Sequence, residues 1–123
     1  RAALGDRDNN EFIEMPGGIF LSEDNGTTWK QIFDDNQYVY DVTVDPYHPG
    51  RLYCNTFNQA AYRSDDNGKT WKKIRGYDFH WGQRIIVDQL DPEQVYITTF
   101  GSSVWHGIPD IDTNAAVVNR VLQ

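Results

Sequence analysis

One eight-residue stretch concentrates side chains that suit the recognition of a polar ligand. Residues 77–84 read Tyr-Asp-Phe-His-Trp-Gly-Gln-Arg, and so combine three aromatic rings with a carboxylate, an imidazole, an amide and a guanidinium. Aromatic planes stack on sugar faces, whereas planar amide, carboxylate and guanidinium groups hydrogen-bond hydroxyls. The stretch therefore predicts a binding loop, with these contact residues: His80, Trp81, Gln83 and Arg84.

The same part of the chain also admits a structural interpretation. Phe79 and Trp81 would then seal the gap between two packed sheets, and Arg84 would form an ion pair with Asp78 or Asp88. Cys54, in a stretch with strand character, is interpreted as a small buried apolar group rather than a reactive thiol.

Two similar octapeptides predict the hairpins around which the sheets are built. They occupy residues 22–29 and 64–71, begin 42 residues apart, and both follow the pattern Ser-x-Asp-x-Gly-x-Thr-Trp. Their Asn-Gly dipeptides accept positive φ at little cost, and the Ser and Asp oxygens can accept hydrogen bonds from backbone N–H groups of the turn. The Trp then begins the next strand as a large apolar plate. The residues given this structural role are Ser22, Asp24, Gly26, Trp29, Ser64, Asp66, Gly68 and Trp71.

The octapeptides resemble the Asp-box, or bacterial neuraminidase repeat, of β-propellers in sialidases, xyloglucanase-type glycoside hydrolases and sortilin-like receptors. The resemblance covers most of residues 17–107. A four-stranded repeat of about 42 residues is typical of a propeller blade, and a propeller closes with about four to eight blades. The predicted fold class is therefore all-β, with four-stranded antiparallel blades that form only an incomplete propeller in this chain.

The predicted blades follow the repeat along the chain. A partial blade is expected at about residues 11–36, a complete blade at 37–75 and a partial blade at 76–107. The stretch 44–57 matches 87–100 at an offset of 43 residues, but the repeat then stops, since no third octapeptide follows Trp105. Residues 1–10 are expected to form a loop, and the tail 108–123 either a short helix or a strand.

The resemblance implies that ligands bind on the face opposite the octapeptides. Loops on that face would add Tyr38 and Asn58 to the ligand-binding set. A glycoside hydrolase would use two carboxylates roughly 5–10 Å apart, for which Asp35 and Asp78 are the candidates because they begin equivalent loops. The expected function is therefore that of a propeller that acts on or binds glycans and resembles a glycoside hydrolase. The alternative is a non-catalytic propeller that binds protein or peptide, as in the sortilin-like receptors. A sialidase would require an arginine cluster that Arg84 alone does not supply.

Composition limits the partners that this chain can have. Eleven basic against 18 acidic residues give a net charge of −7, which disfavours binding to nucleic acid. No apolar run approaches the length of a membrane span, and one Cys with three unclustered His residues favours neither a metal nor another cofactor. The expected partners are a carbohydrate or peptide ligand and further propeller blades. Those blades would come from a parent chain, from another polypeptide or, less favoured, from a homo-oligomer. The expected location is secreted, periplasmic or extracellular.

Overall fold

The structure, a computed structural model, describes residues 2–6, 11–15, 17–33, 39–57, 60–77, 82–101 and 103–118, with side chains described between 17 and 112. These ranges form twelve strands: β1 (Ala2–Asp6), β2 (Glu11–Met15), β3 (Ile19–Leu21), β4 (Lys30–Phe33), β5 (Val39–Val44), β6 (Leu52–Thr56), β7 (Ala61–Ser64), β8 (Thr70–Arg75), β9 (Gly82–Val87), β10 (Val95–Thr99), β11 (Val104–Gly107) and β12 (Asp110–Val118). They contain no helix, and hence none that is long and apolar enough to span a membrane.

The middle sheet is an antiparallel array of consecutive strands. β5, β6, β7 and β8 pair in sequence order, with Cys54 opposite Tyr62 and Arg63 opposite Lys72. Alternation along β5 exposes every second side chain, whereas β6 is buried on both faces from Tyr53 onward. A strand covered on both faces lies between two neighbouring layers. The middle sheet is therefore packed on both sides.

The first sheet (β3–β4) covers one side of the middle sheet. The rings of Tyr62 and Trp71 lie 5.3 and 5.2 Å from that of Phe33, measured between centroids. The indole N–H of Trp71 donates to the carbonyl oxygen of Ile32 at 2.8 Å. Together these residues form one apolar core, in which Trp71 is the largest side chain that is entirely buried.

The third sheet (β9–β11) covers the other side. Ile85, Val95 and Ile97 pack there against Tyr53 and Ile74 of the middle sheet, and all five are at most 1% exposed. Three antiparallel units thus lie face to face around two apolar cores. The architecture is an all-β, incomplete β-propeller.

The start of the chain differs from the expectation, whereas the tail adopts one of the two expected forms. Ala2–Asp6, expected as a loop, is a strand that pairs antiparallel with β2, because a strand such as β2 needs a partner for its backbone hydrogen bonds. The tail, for which helix and strand were both open, contains β12. This strand does not extend the third sheet but returns to pair with β8 at the edge of the middle sheet.

Candidate functional site

The two octapeptide turns have the same hydrogen-bond geometry. In the first, the hydroxyl of Ser22 accepts the N–H of Gly26 at 2.7 Å and donates to Asp24, whose carboxylate also accepts the N–H of Thr28 at 2.8 Å. In the second, Ser64, Asp66 and Thr70 make the equivalent bonds, with donor–acceptor distances of 2.8–2.9 Å. The Asn residue of each turn has positive φ, 61° and 59°. Both carboxylates are thus engaged within their own turns.

Hydrogen bonding also determines the protonation state of these carboxylates. The hydroxyl of Thr28, followed by its backbone N–H, lowers the pKa of Asp24 to about 2. Partial burial raises the pKa of Asp66, but the hydroxyl and N–H of Thr70 outweigh it and lower that pKa. Groups that remain ionised at neutral pH cannot act as general acids there. Their geometry is that of turn-stabilising acceptors.

The residues predicted to bind a ligand are only partly described. Gln83 and Arg84 lie at the start of β9 with exposed side chains. The other predicted positions lie outside the described residues: Asp35, Tyr38, Asn58, Asp78, His80 and Trp81. Tyr77 is fully buried in the core between the middle and third sheets, so its ring is unavailable for stacking on a ligand. A carboxylate oxygen of Asp88 lies 3.1 Å from the Nε2 atom of His106. Among the described side chains, Asp88 forms no ion pair with Arg84.

A polar contact that sequence reasoning missed joins β5 to β9. Asp41 accepts the backbone N–H of Ile85 at 2.9 Å, and the hydroxyl of Thr43 donates to the carbonyl of the same residue at 2.7 Å. Thr43 and Asp41 also contact each other at 3.1 Å. The two strands are consequently joined through side chains and not by a backbone ladder. The alternation along β5, which puts residues 41 and 43 on one face, was the available signal.

A groove runs beside this contact. Its cavity of about 460 Å³ is lined by residues of β5 and β9 and of the loops that follow them, among them Val42, Val44, Tyr47, Arg84 and Ile86. Val44 is 70% and Ile86 45% exposed. β5 and β9 are edge strands of their sheets, and edge strands present free backbone N–H and C=O groups. The groove thus combines exposed apolar side chains with backbone groups able to pair.

His48 holds together the two loops next to the groove. Its Nδ1 lies 2.9 Å from a carboxylate oxygen of Asp45 in its own loop, and its Nε2 lies 2.8 Å from Glu93, in the loop between β9 and β10. Asp45 also accepts the N–H of Tyr47 at 2.8 Å. Across the described ranges, no group of His, Cys, Asp and Glu side chains has the arrangement of a metal site. The arrangement is suited to fixing the loops rather than to metal chemistry.

Asn55 of β6 and Gly82, the first residue of β9, form a close contact at the end of β9 away from the loop that holds Glu93. Asn55 is fully buried. A Cβ atom at Gly82 would collide with that amide. Glycine is therefore required where β9 begins, because only its backbone can approach Asn55 so closely.

Comparison with known proteins agrees with this architecture. The model of the Sortilin-Vps10 family, described as "Sortilin, neurotensin receptor 3", matches residues 17–107, nearly three-quarters of the chain. This range includes both octapeptides, the groove and both apolar cores. Searches of curated proteins and of solved structures gave no significant match. The chain belongs to the Sortilin-Vps10 family.

Proposed function

We propose that this chain is part of a non-catalytic propeller that binds an extended peptide in the groove between β5 and β9. The observation that carries the proposal is the match to a receptor family across residues 17–107, which contain both strands of the groove. The two octapeptides are accordingly proposed to be Asp-boxes. The proposed setting is extracellular or luminal, with blades at residues 11–36, 37–75 and 76–107.

The groove suits an extended peptide for two physical reasons. An extended chain can add to an exposed sheet edge, where backbone hydrogen bonds supply affinity and pockets for alternate side chains supply specificity. At Ile85 the edge of β9 is already satisfied by Asp41 and Thr43, so the peptide would pair along the rest of the edge. Val42, Val44 and Ile86 would then cover its apolar side chains.

Hydrolysis of glycans has less support than peptide binding. A glycoside hydrolase needs two carboxylates across the scissile bond, whereas the described lining of the groove contributes one, Asp41. That carboxylate is engaged by Ile85 and Thr43. Asp35 and Asp78 stay predictions for a catalytic pair. The peptide-binding function requires neither.

The test is a peptide-binding screen with a variant of the groove. The purified chain is immobilised, random peptides are selected by phage display, and the affinity of each selected peptide is measured by fluorescence anisotropy. Val44→Lys, which places a charge in the groove, should weaken binding at least tenfold. Leu90→Lys is the matched control, because Leu90 is 96% exposed and does not line the groove; it should bind as the unmodified chain does.

Two results would contradict the proposal. Selected peptides that bind the Val44→Lys variant and the unmodified chain equally would place the site elsewhere. A glycan array and a reducing-sugar assay run in parallel would reject the non-catalytic function if they showed turnover of a polysaccharide.

A further inference from the structure

A second cavity lies between the turns of the two octapeptides. Its volume is about 670 Å³, within the range of about 300–1,000 Å³ that is typical of small-ligand sites. One wall is the first octapeptide with the start of β4, and the opposite wall is the turn of the second octapeptide at residues 67–69. Both walls therefore belong to this chain. The cavity is called the inter-turn cavity.

Trp29 lines the inter-turn cavity with its indole ring. The residue is 63% exposed, and its indole N–H donates to the carbonyl oxygen of Gly26 in the same turn at 3.1 Å. A Cβ atom at Gly26 would lie 3.8 Å from the ring, so the ring packs closely over its own turn. Because the polar group of the indole is already bonded, what the ring offers a ligand is its apolar surface.

The charged side chains around this ring balance one another. Glu23 and Lys30 lie on the wall of the first octapeptide and Lys69 on the opposite wall, and all three are exposed. None of the three forms an ion pair with any side chain that the structure describes. The remaining charged group, the carboxylate of Asp24, is engaged within its own turn. Two negative and two positive groups leave the described lining without net charge.

These features suit a neutral sugar better than an ion. The face of an aromatic ring carries partial negative charge, and the C–H groups of a pyranose ring carry partial positive charge, so the two stack. Sugar hydroxyls both donate and accept hydrogen bonds, which matches the ammonium donors of Lys30 and Lys69 and the carboxylate acceptor of Glu23. A cation would be repelled by the two lysines and an anion by the two carboxylates.

We propose that the inter-turn cavity binds a neutral oligosaccharide, with one pyranose ring stacked on Trp29 and its hydroxyls bonded to Glu23, Lys30 and Lys69. The site binds without hydrolysis. Glycoside hydrolysis uses a pair of carboxylates, whereas Glu23 is the one carboxylate of the described lining that is not engaged in a turn.

This site is separate from the proposed peptide site. The inter-turn cavity and the groove between β5 and β9 have no described lining residue in common. Failure of one proposal therefore leaves the other intact, and a peptide bound in the groove should not compete with the sugar.

The experiment is an array of neutral and acidic oligosaccharides, followed by isothermal titration calorimetry with the strongest binder. Trp29→Ala removes the stacking ring and should weaken binding about tenfold or more, whereas Trp29→Phe, which keeps a smaller ring, should lose less. Lys69→Met should weaken binding several-fold, because it removes a donor from the opposite wall. Phe20→Ala is the matched control and should bind as the unmodified chain does, since Phe20 is an aromatic residue of the same sheet that is 44% exposed and does not line the cavity.

Nuclear magnetic resonance locates the site by a second readout. In a proton–nitrogen correlation spectrum, the indole N–H signal of Trp29, identified by its loss in Trp29→Phe, should shift when the sugar is added. The corresponding signal of Trp71 should not shift, because that side chain is fully buried. Circular dichroism should be unchanged in every variant, and Trp29→Phe with Lys69→Met carries the test if Trp29→Ala fails to fold.

Four results would overturn the proposal. They are an array on which no neutral oligosaccharide binds, equal affinities of the unmodified chain and the Trp29 variants, and a preference for acidic oligosaccharides whose affinity falls as added salt screens the charges. The fourth is competition between the sugar and peptides selected on the groove between β5 and β9, which would place the sugar in that groove.

Discussion

Trp71 should be among the largest single contributors to the stability of this chain. Its side chain is fully buried between the first and middle sheets, and its indole N–H donates to Ile32. An indole buries about 200 Å², and at about 25 cal/mol per Å² its burial is worth about 5 kcal/mol. Truncation of buried Trp to Ala costs about 3–5 kcal/mol, and the lost hydrogen bond adds about 1 kcal/mol. We expect Trp71→Ala to lower the free energy of unfolding by about 4–6 kcal/mol.

That loss is a large part of the about 5–15 kcal/mol by which a domain is stable. Urea denaturation followed by far-UV circular dichroism measures it, since that signal arises mainly from the backbone. Trp71→Phe, which keeps a ring beside Phe33, should lose only about 1–2 kcal/mol. Trp29→Ala is the control from the other octapeptide. It should cost less than about 1 kcal/mol, because Trp29 is 63% exposed. Equal losses for Trp71→Ala and Trp29→Ala would refute the reasoning.

Three further predictions follow from contacts described above. Gly82→Ala should destabilise the chain by about 1–3 kcal/mol because the new methyl group would collide with Asn55; Gly107→Ala, where a Cβ would lie 3.4 Å from Trp105, should be nearly neutral in the same urea titration. Asp41→Asn and Thr43→Val should show a coupling energy of about 1 kcal/mol in a double-mutant cycle, since both side chains bond Ile85; strict additivity would mean that the two bonds act independently. The pKa of Asp66 is lower in the folded chain than its ordinary value of 3.8, so its contribution is complete above that value and disappears as the pH falls through the folded pKa. Asp66→Asn should therefore reduce the loss of stability on acidification below pH 3.8, and an unchanged pH profile would contradict this role.

The parts of the fold that could be predicted from the sequence are those governed by local interactions. The Asn-Gly turns require positive φ within a few residues, and the structure has it at Asn25 and Asn67. Alternation of side chains along residues 39–44 likewise depends only on neighbours in the chain. Such features are visible in a short window of sequence.

The parts that were not predicted depend on contacts between distant residues. The pairing of β12 with β8 is determined by which sheet edge is free in three dimensions, and Ala2–Asp6 becomes a strand because β2 lies beside it. Tyr77 lies in the predicted binding loop by sequence, and its burial depends on packing between two sheets, which the local sequence does not show. At the candidate site the binding role of Gln83 and Arg84 stays a prediction. The interstrand bonds of Asp41 and Thr43 could not be inferred without knowing that β9 lies next to β5.

The return of β12 to the middle sheet has a consequence for how the chain unfolds. β12 follows β11 of the third sheet but pairs with β8 of the middle sheet, and Asp110 forms an ion pair with Arg75 at 2.9 Å where the two strands meet. The third sheet is therefore enclosed between two connections to the middle sheet, one before β9 and one after β11. Neither sheet can separate without breaking the β8–β12 ladder or stretching the short connection between β11 and β12. Amide protons of β8 and β10 should consequently exchange with solvent in one cooperative opening event, although these strands belong to different sheets.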